Sequence, residues 1–161
     1  MEKVAIDEVD IQTSPLGVHS VRRPVSQALG TTDFAMNYFE LEPGESFSGG
    51  LHAHGDQEEV FHIQEGTATF EVGREREREE VEAGEVIRFE RGEFQEGKNE
   101  SEDTVVGFAL GAPKAGHDFE EIESMIPCQE CGEETVHGLE LTDEGAFRMT
   151  CAECETSFTM G

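Results

Sequence analysis

The sequence contains few basic residues. Lysine and arginine together number 11, against 37 aspartates and glutamates, and the formal net charge of the 161-residue chain is −26. A protein with this charge is repelled by nucleic acid phosphates and by anionic lipid headgroups at ordinary salt. The composition therefore argues against nucleic acids and membrane surfaces as partners.

Long apolar segments are also missing. Met1 is not followed by a basic segment and an apolar run, and the apolar, uncharged stretch at residues 104–113 is far shorter than the roughly 20 residues of a transmembrane helix. We therefore expect a cytoplasmic protein. In a reducing compartment, the four cysteines are expected to bind metal rather than to form two disulfides.

The acidic excess has a further implication. Acidic residues are spread through nearly every segment, which resembles the composition of haloarchaeal, halophilic proteins. In molar salt the Debye length falls to about 3 Å, so self-repulsion is screened while the carboxylates keep the protein hydrated. The alternative is an acidic protein from an ordinary organism, and a melting temperature that does not depend on KCl would favour it.

Short β-strands separated by turns are predicted for the middle of the chain. β-branched and aromatic residues concentrate in four segments, at residues 34–41, 67–72, 86–89 and 104–110. Several short strands with regular turns are typical of an all-β barrel or sandwich. The first 30 residues show little periodicity and are predicted to form an irregular arm.

A His-x-His-x4-Glu-x6-Gly segment carries the strongest indication of chemistry. It consists of His52, His54, Glu59 and Gly66. Residues two apart on a β-strand project from the same face, so the two imidazoles can converge on one point. With the Glu59 carboxylate they form a set of three ligands that suits a first-row metal ion.

A second segment has the spacing of a companion motif. It runs Gly-x5-Glu-x-Gly-x2-Gln-x3-Asn and comprises Gly84, Glu90, Gly92, Gln95 and Asn99. Gln95 stands where a fourth metal ligand would be expected. A neutral amide oxygen is a weaker ligand than an imidazole, so this position either weakens the metal site or leaves it open.

These two segments resemble the paired motifs of the cupin superfamily. The first matches from His52 to Gly66, although Gly44, the nearest upstream glycine in a Pro-Gly pair, lies two residues too far from His52. In the second, Glu90 replaces the family's proline and Gln95 replaces its histidine. The resemblance spans roughly residues 20–115 and implies a double-stranded β-helix, the small jelly-roll barrel, with a metal inside its mouth.

The resemblance also implies a cofactor and a class of activity. His52, His54, Glu59 and Gln95 would hold Fe, Mn, Ni or Zn as a divalent ion, and Glu58 and Glu93 are alternative fourth ligands. The implied function is that of a dioxygenase or isomerase acting on a small molecule. A homodimer is also implied, because cupins associate by extending their sheets across a two-fold axis.

Four cysteines near the C-terminus form a separate motif. Cys128 and Cys131 are followed after 19 residues by Cys151 and Cys154, which is the Cys-x2-Cys…Cys-x2-Cys pattern of a tetrahedral structural zinc site. The segment resembles a zinc ribbon. Zinc is favoured over rubredoxin-like iron, which four thiolates also suit, because nothing else in the chain indicates electron transfer.

The predicted organisation is a cupin barrel with an N-terminal arm at residues 1–117, a linker at 118–126 and a zinc-ribbon-like module at 127–161. Two functions remain open. The first is a metal-dependent enzyme; the second is a non-catalytic ligand sensor or interaction module that contacts a partner protein through the ribbon. The other histidines are predicted to lie at the surface without a role: His19, His62, His117 and His137.

Overall fold

The computed structural model describes residues 1–12, 14, 16–116, 118–142 and 144–160. Within these ranges there are thirteen strands, one α-helix and two short 3-10 helices. In chain order they are a 3-10 helix Ile6–Glu8, β1 Val21–Arg23, α1 Val25–Leu29, β2 Ala35–Leu41, β3 His52–His54, β4 Glu58–Glu65, β5 Thr67–Val72, β6 Glu77–Glu82, β7 Val86–Phe89, β8 Gln95–Lys98, β9 Val105–Ala112, a 3-10 helix Phe119–Glu121, β10 Ile122–Pro127, β11 Glu134–Leu141, β12 Phe147–Cys151 and β13 Ser157–Met160.

The strands form two antiparallel sheets. One sheet has the order β1-β2-β9-β4-β7, and the other has the order β13-β12-β11-β10-β3-β8-β5-β6. Non-consecutive neighbours such as β2 and β9 arise because the chain crosses between sheets, as in a jelly roll. The all-β prediction is therefore confirmed. No helix in the described part of the chain is long and apolar enough to cross a membrane.

Aromatic side chains fill the space between the sheets. Phe47, Phe61 and Phe70 lie within 5.0–6.0 Å of one another, measured between ring centroids, and each is at most 6% exposed. Burying a side chain of this size contributes about 1.5–3 kcal/mol, so this cluster is a principal source of barrel stability. The three rings belong to the main apolar cluster of the barrel.

Gly66 allows the turn between β4 and β5. Its φ angle is +78°, and a Cβ atom at this position would lie 2.7 Å from the carbonyl oxygen of Thr104. Any side chain would therefore suffer both backbone strain and a steric clash. The glycine of the first motif is thus required by the fold rather than by the chemistry.

Asn99, the last residue of the second motif, also has a structural role. Its side chain is fully buried, and its Nδ2 donates hydrogen bonds of 2.8 Å to the carbonyl oxygens of Leu41 and Asp103. Its Oδ1 accepts hydrogen bonds from the backbone and the hydroxyl of Ser101. Asn99 therefore fixes the turn that follows β8 and holds it against β2.

The C-terminal strands continue the sheet that carries the histidines. β10 pairs with β3, with Ile122 opposite His54 and Ser124 opposite His52. The segment predicted as a linker, residues 118–126, contains the 3-10 helix Phe119–Glu121 and all of β10 except its last residue, Pro127. The predicted domain boundaries remain a prediction, but the connection between barrel and module includes paired sheet.

A second apolar cluster joins the two parts of the chain. Leu51 and Ala53 from the histidine segment pack with Phe94 and with Val136 of β11, and Met125 of β10 packs against them. The Met125 amide donates a 2.9 Å hydrogen bond to the Leu51 carbonyl oxygen. The C-terminal strands therefore support the back of the strands that carry His52, His54 and Gln95.

Candidate metal centres

β3 places the two histidines of the first motif on the polar face inside the barrel. Ala53, between them, is 2% exposed and belongs to the second apolar cluster on the opposite face. The Nε2 atoms of His52 and His54 lie 3.1 Å apart. The predicted convergence of the imidazoles is therefore present, and alternation along the strand is its cause.

β4 brings the carboxylate to the same point. Glu59 Oε2 lies 3.5 Å from His54 Nε2, and one ligand atom from each of His52, His54 and Glu59 lies within 4.8 Å of the others. A metal about 2.1 Å from each ligand requires ligand atoms about 3.0–3.4 Å apart. The separations of 3.1 Å between the two histidine nitrogens and 3.5 Å between His54 and Glu59 therefore suit a first-row divalent ion.

The tautomer of His52 suits metal binding. Its Nδ1 lies 2.9 Å from the carbonyl oxygen of Gly50, which can only accept a hydrogen bond. The proton is therefore on Nδ1, and the lone pair of Nε2 faces the cluster. Such a hydrogen bond to the second ring nitrogen is the usual way in which proteins orient a metal-binding histidine.

Burial changes the protonation of Glu59. Desolvation raises the pKa of this carboxyl group to about 7, and the hydrogen bond from Gln95 opposes the rise. Because a metal binds the carboxylate, a proton must leave before the ion enters. The donor set therefore requires neutral to alkaline pH to be fully available.

Gln95 lies beside the three ligands but presents its amide nitrogen to them. Nε2 donates a 2.7 Å hydrogen bond to Glu59 Oε2 and lies 3.4 Å from His52 Nε2. Its Oε1 is buried and has no hydrogen-bond partner in the described residues. Gln95 is thus placed where a fourth ligand would be, and whether it coordinates a metal remains a prediction.

The carboxylates of the two alternative fourth ligands, Glu58 and Glu93, form hydrogen bonds outside the cluster. Glu58 Oε2 accepts a 3.1 Å hydrogen bond from Arg88, and Glu93 Oε2 accepts a 2.9 Å hydrogen bond from the backbone nitrogen of Glu90. Both carboxylates are therefore held outside the cluster.

The four cysteines converge as the spacing predicts. Cys128 Sγ lies 3.6 Å from Cys154 Sγ, and Cys131 Sγ lies 3.9 Å from Cys151 Sγ. A tetrahedral zinc ion with Zn–S bonds of about 2.3 Å requires sulfurs ~3.8 Å apart. All four are free thiols, so the geometry fits a four-cysteine metal site without a disulfide.

Two equivalent turns hold these thiols. Gly132 N donates to the Cys128 carbonyl oxygen at 2.9 Å, and Glu155 N donates to that of Cys151 at 3.0 Å. The residue after each pair has a positive φ, +75° for Gly132 and +61° for Glu155. Each Cys-x2-Cys segment therefore forms the same knuckle, the second without the glycine that favours it.

Thr135 is a residue of this site that sequence reasoning missed. Its Oγ1 lies 3.2 Å from Cys151 Sγ, and a hydroxyl that donates to a sulfur favours the thiolate. This hydrogen bond, together with backbone hydrogen bonds from Cys154 and Glu153, lowers the pKa of Cys151 to about 6. No sequence signal identifies Thr135, because its position depends on the pairing of β11 with β12.

The surface prediction for the other histidines is partly wrong. His19 is 5% exposed and His137 is 1% exposed, and their Nδ1 atoms contact the carbonyl oxygens of Ser46 and Thr135 respectively. Both segments were predicted to be loop or linker, but His137 lies within β11 and packs against Phe158 of β13. The His19 ring packs against Phe39 of β2. His117 lies outside the described residues.

Comparison with known proteins supports the fold. Residues 37–110 match a family model described as a cupin domain. No curated protein matches the chain. Among solved structures, a polyketide cyclase, RemF from Streptomyces resistomycificus, is 20% identical with a TM-score of 0.63, and the alignment covers 80% of this chain and 88% of that one.

Two other structures are similar over comparable lengths. A structure from Silicibacter pomeroyi DSS-3, described as a sugar phosphate isomerase from a cupin superfamily, is 17% identical with a TM-score of 0.61. The alignment covers 99% of this chain and 92% of that one. A protein with a double-stranded β-helix domain from Klebsiella pneumoniae is 20% identical with a TM-score of 0.57, covering 73% and 96%. At these identities the likeness shows the fold alone, and the match to the cupin domain model covers residues 37–110.

Proposed function

We propose that the barrel binds a divalent metal ion through His52, His54 and Glu59 and that the bound ion acts on a small molecule. The observation that carries this proposal is the convergence of the three ligand atoms next to a neutral amide, Gln95. Three protein ligands leave coordination positions for water or substrate, which catalytic metal sites require and closed structural sites lack.

The ion would supply Lewis-acid or redox chemistry, and the protein would supply its position. His52 is held in the metal-binding tautomer by Gly50, and Glu59 is held by Gln95. The proposed ion is Fe, Mn, Ni or Zn, and the proposed reaction is that of a dioxygenase or an isomerase. Neighbours named as sugar phosphate isomerases share the fold and support the isomerase class within the proposal. A further neighbour with the fold is named as an oxalate decarboxylase.

The second candidate is a non-catalytic sensor. It is favoured by the C-terminal module, which we propose to be a zinc ribbon with zinc bound by Cys128, Cys131, Cys151 and Cys154. β10 joins this module to the histidine strand, so ligand binding in the barrel would reach a surface able to contact a partner protein.

Metal analysis separates these candidates. Protein purified from molar KCl is expected to contain two metal ions per chain, of which His52→Ala loses one and Cys128→Ser loses the other. If the wild type contains a single ion that disappears only with Cys128→Ser, the barrel does not bind metal and the enzyme proposal is rejected.

Two properties of the whole molecule are part of this proposal. We expect a homodimer, and a 17.8 kDa species in molar KCl would contradict it. We also expect halophilic behaviour from the net charge of −26, with a melting temperature that falls when KCl is removed.

A further inference from the structure

Arg22 projects from the inner face of the barrel. In the pairing of β1 with β2, Arg22 lies opposite Phe39, and directly paired residues project from the same face. Phe39 is 4% exposed and belongs to the aromatic core. The next residue, Arg23, projects to the outer face and donates hydrogen bonds to carbonyl oxygens of the N-terminal arm.

Arg22 has no carboxylate partner among the residues that the structure describes. Its Nε donates a 3.1 Å hydrogen bond to Asn37 Oδ1, and within the described residues its guanidinium makes no other hydrogen bond and no ion pair. Among the described residues, four other arginines form ion pairs: Arg76, Arg78, Arg88 and Arg148. Of the three remaining arginines that form none, Arg74 and Arg91 are exposed to solvent, and Arg23 donates hydrogen bonds to two carbonyl oxygens.

The missing counter-charge has a free-energy cost. Arg22 is half-buried, and desolvation lowers the pKa of its guanidinium, with no acidic group acting in the opposite direction. A partly desolvated cation without an anion destabilises a fold. Asn37 satisfies only Nε, so the two Nη atoms have no partner among the described residues, and together they form a fork that can donate to two oxygens of one anion.

The sheet register places this fork within reach of the proposed metal ligands. Asn37 pairs with Ala109 of β9, and on the same face Gly111 of β9 pairs with both Ala35 and Glu59. Glu59 lies two strands away from Asn37 across the sheet and is offset from it by two residues along the strand direction. These offsets correspond to roughly 12 Å between the two Cα atoms. The intervening inner-face residues are small: Ala35, Ala109 and Gly111.

We propose that Arg22 and Asn37 form an anion subsite inside the barrel, which binds a carboxylate or phosphate group of a small ligand. The ligand's opposite end would reach His52, His54 and Glu59; this last step rests on the proposed function, whereas the subsite itself does not. The substrate or sensed ligand is therefore a small molecule with an anionic group.

The test uses inorganic phosphate and malonate as separate probes. Each is titrated into the full chain by calorimetry in molar KCl, which suppresses non-specific attraction. Arg22→Gln removes the fork, and Asn37→Asp adds a carboxylate beside it and so supplies the missing counter-charge internally. Arg91→Gln is the matched control, because Arg91 is exposed and forms no ion pair among the described residues.

We expect the wild type and Arg91→Gln to bind at least one probe, and both Arg22→Gln and Asn37→Asp to bind it at least about tenfold more weakly. We also expect Asn37→Asp to melt no lower than the wild type, since it adds an ion pair, which separates lost binding from misfolding. The probe that binds more tightly identifies the anionic group.

The proposal is overturned if neither probe binds the wild type, or if Asn37→Asp binds as well as the wild type. His52→Ala separates this proposal from the metal site. If that variant has lost the barrel metal but still binds the probe, the two sites are independently confirmed. If the wild type lacks a barrel metal but still binds the probe, the proposed function fails while the anion subsite stands.

Discussion

Replacement of Gln95 by histidine is the sharpest test of the barrel site. Gln95 Nε2 is 3.4 Å from His52 Nε2, close to the 3.1 Å that separates the two histidine nitrogens. A side chain at position 95 therefore reaches the shell of ligand atoms. Histidine there would supply a fourth strong ligand where the wild type has a neutral amide.

The expected magnitude follows from what is exchanged. The variant loses the 2.7 Å hydrogen bond to Glu59, which is worth about 1.5–3 kcal/mol because it joins a charged group. It gains an imidazole ligand, whose contribution exceeds the roughly 10- to 100-fold effect of residues that merely support ligands. We therefore expect Gln95→His to bind Mn²⁺ or Co²⁺ at least about tenfold more tightly.

The assay is a Co²⁺ or Mn²⁺ titration at pH 8 with zinc already present in the four-cysteine site. Gln95→Leu is the matched control, because it removes the hydrogen bond to Glu59 without adding a ligand. That loss raises the pKa of Glu59 further, so the control should bind metal more weakly than the wild type as the pH falls toward 7. An unchanged affinity for Gln95→His would refute the placement of Gln95 beside the metal.

Three further predictions concern the four-cysteine site and stability. Cys151→Ser should lose the metal ion of the four-cysteine site and unfold the C-terminal module, whereas Thr135→Val should keep the ion but bind it with lower affinity. Zinc content and circular dichroism, measured on both variants, check this prediction. Gly97→Ala should cost about 1–3 kcal/mol of unfolding free energy in urea, because its Cβ would lie 2.5 Å from Phe70; no change would contradict the core packing. Burial lowers the pKa of His19 below 6.5, so the contribution of neutral His19 to stability is complete above pH 6.5 and is lost as the pH falls below that value. The free energy of unfolding in urea should therefore decline less steeply with falling pH in His19→Gln than in the wild type. Identical slopes for the two proteins would exclude the effect.

Several features of the barrel could be predicted because they depend on local spacing. His52 and His54 share a face whenever their segment is a strand, and each Cys-x2-Cys pair forms its turn from a few neighbouring residues. The two candidate metal-binding groups and the all-β class could therefore be predicted from residue order. Asn99 and Gly66 were also identified, but as members of a motif rather than as supports of turns.

Other features could not be predicted because they depend on strands far apart in sequence. Gln95 was recognised as a substitution, yet its hydrogen bond to Glu59 depends on how β8 and β4, 36 residues apart at this contact, face each other in the barrel. His19 and His137 looked exposed because nothing in their own segments shows which residues cover them. The segment predicted as a linker contains part of β10, whose pairing with β3 joins positions about 70 residues apart.

The sequence by itself determined the chemistry that is present: two histidines and a carboxylate in one group, four thiols in another, and an acidic surface around both. Only the tertiary structure decided how that chemistry is used. It placed Gln95 against Glu59, continued the histidine sheet into the cysteine module, and left Arg22 on an inner face with no carboxylate partner among the described residues. The physical reason is that ligand type and local periodicity are encoded by neighbouring residues, whereas counter-charges and hydrogen-bond partners come from strands that meet only after the sheets have formed.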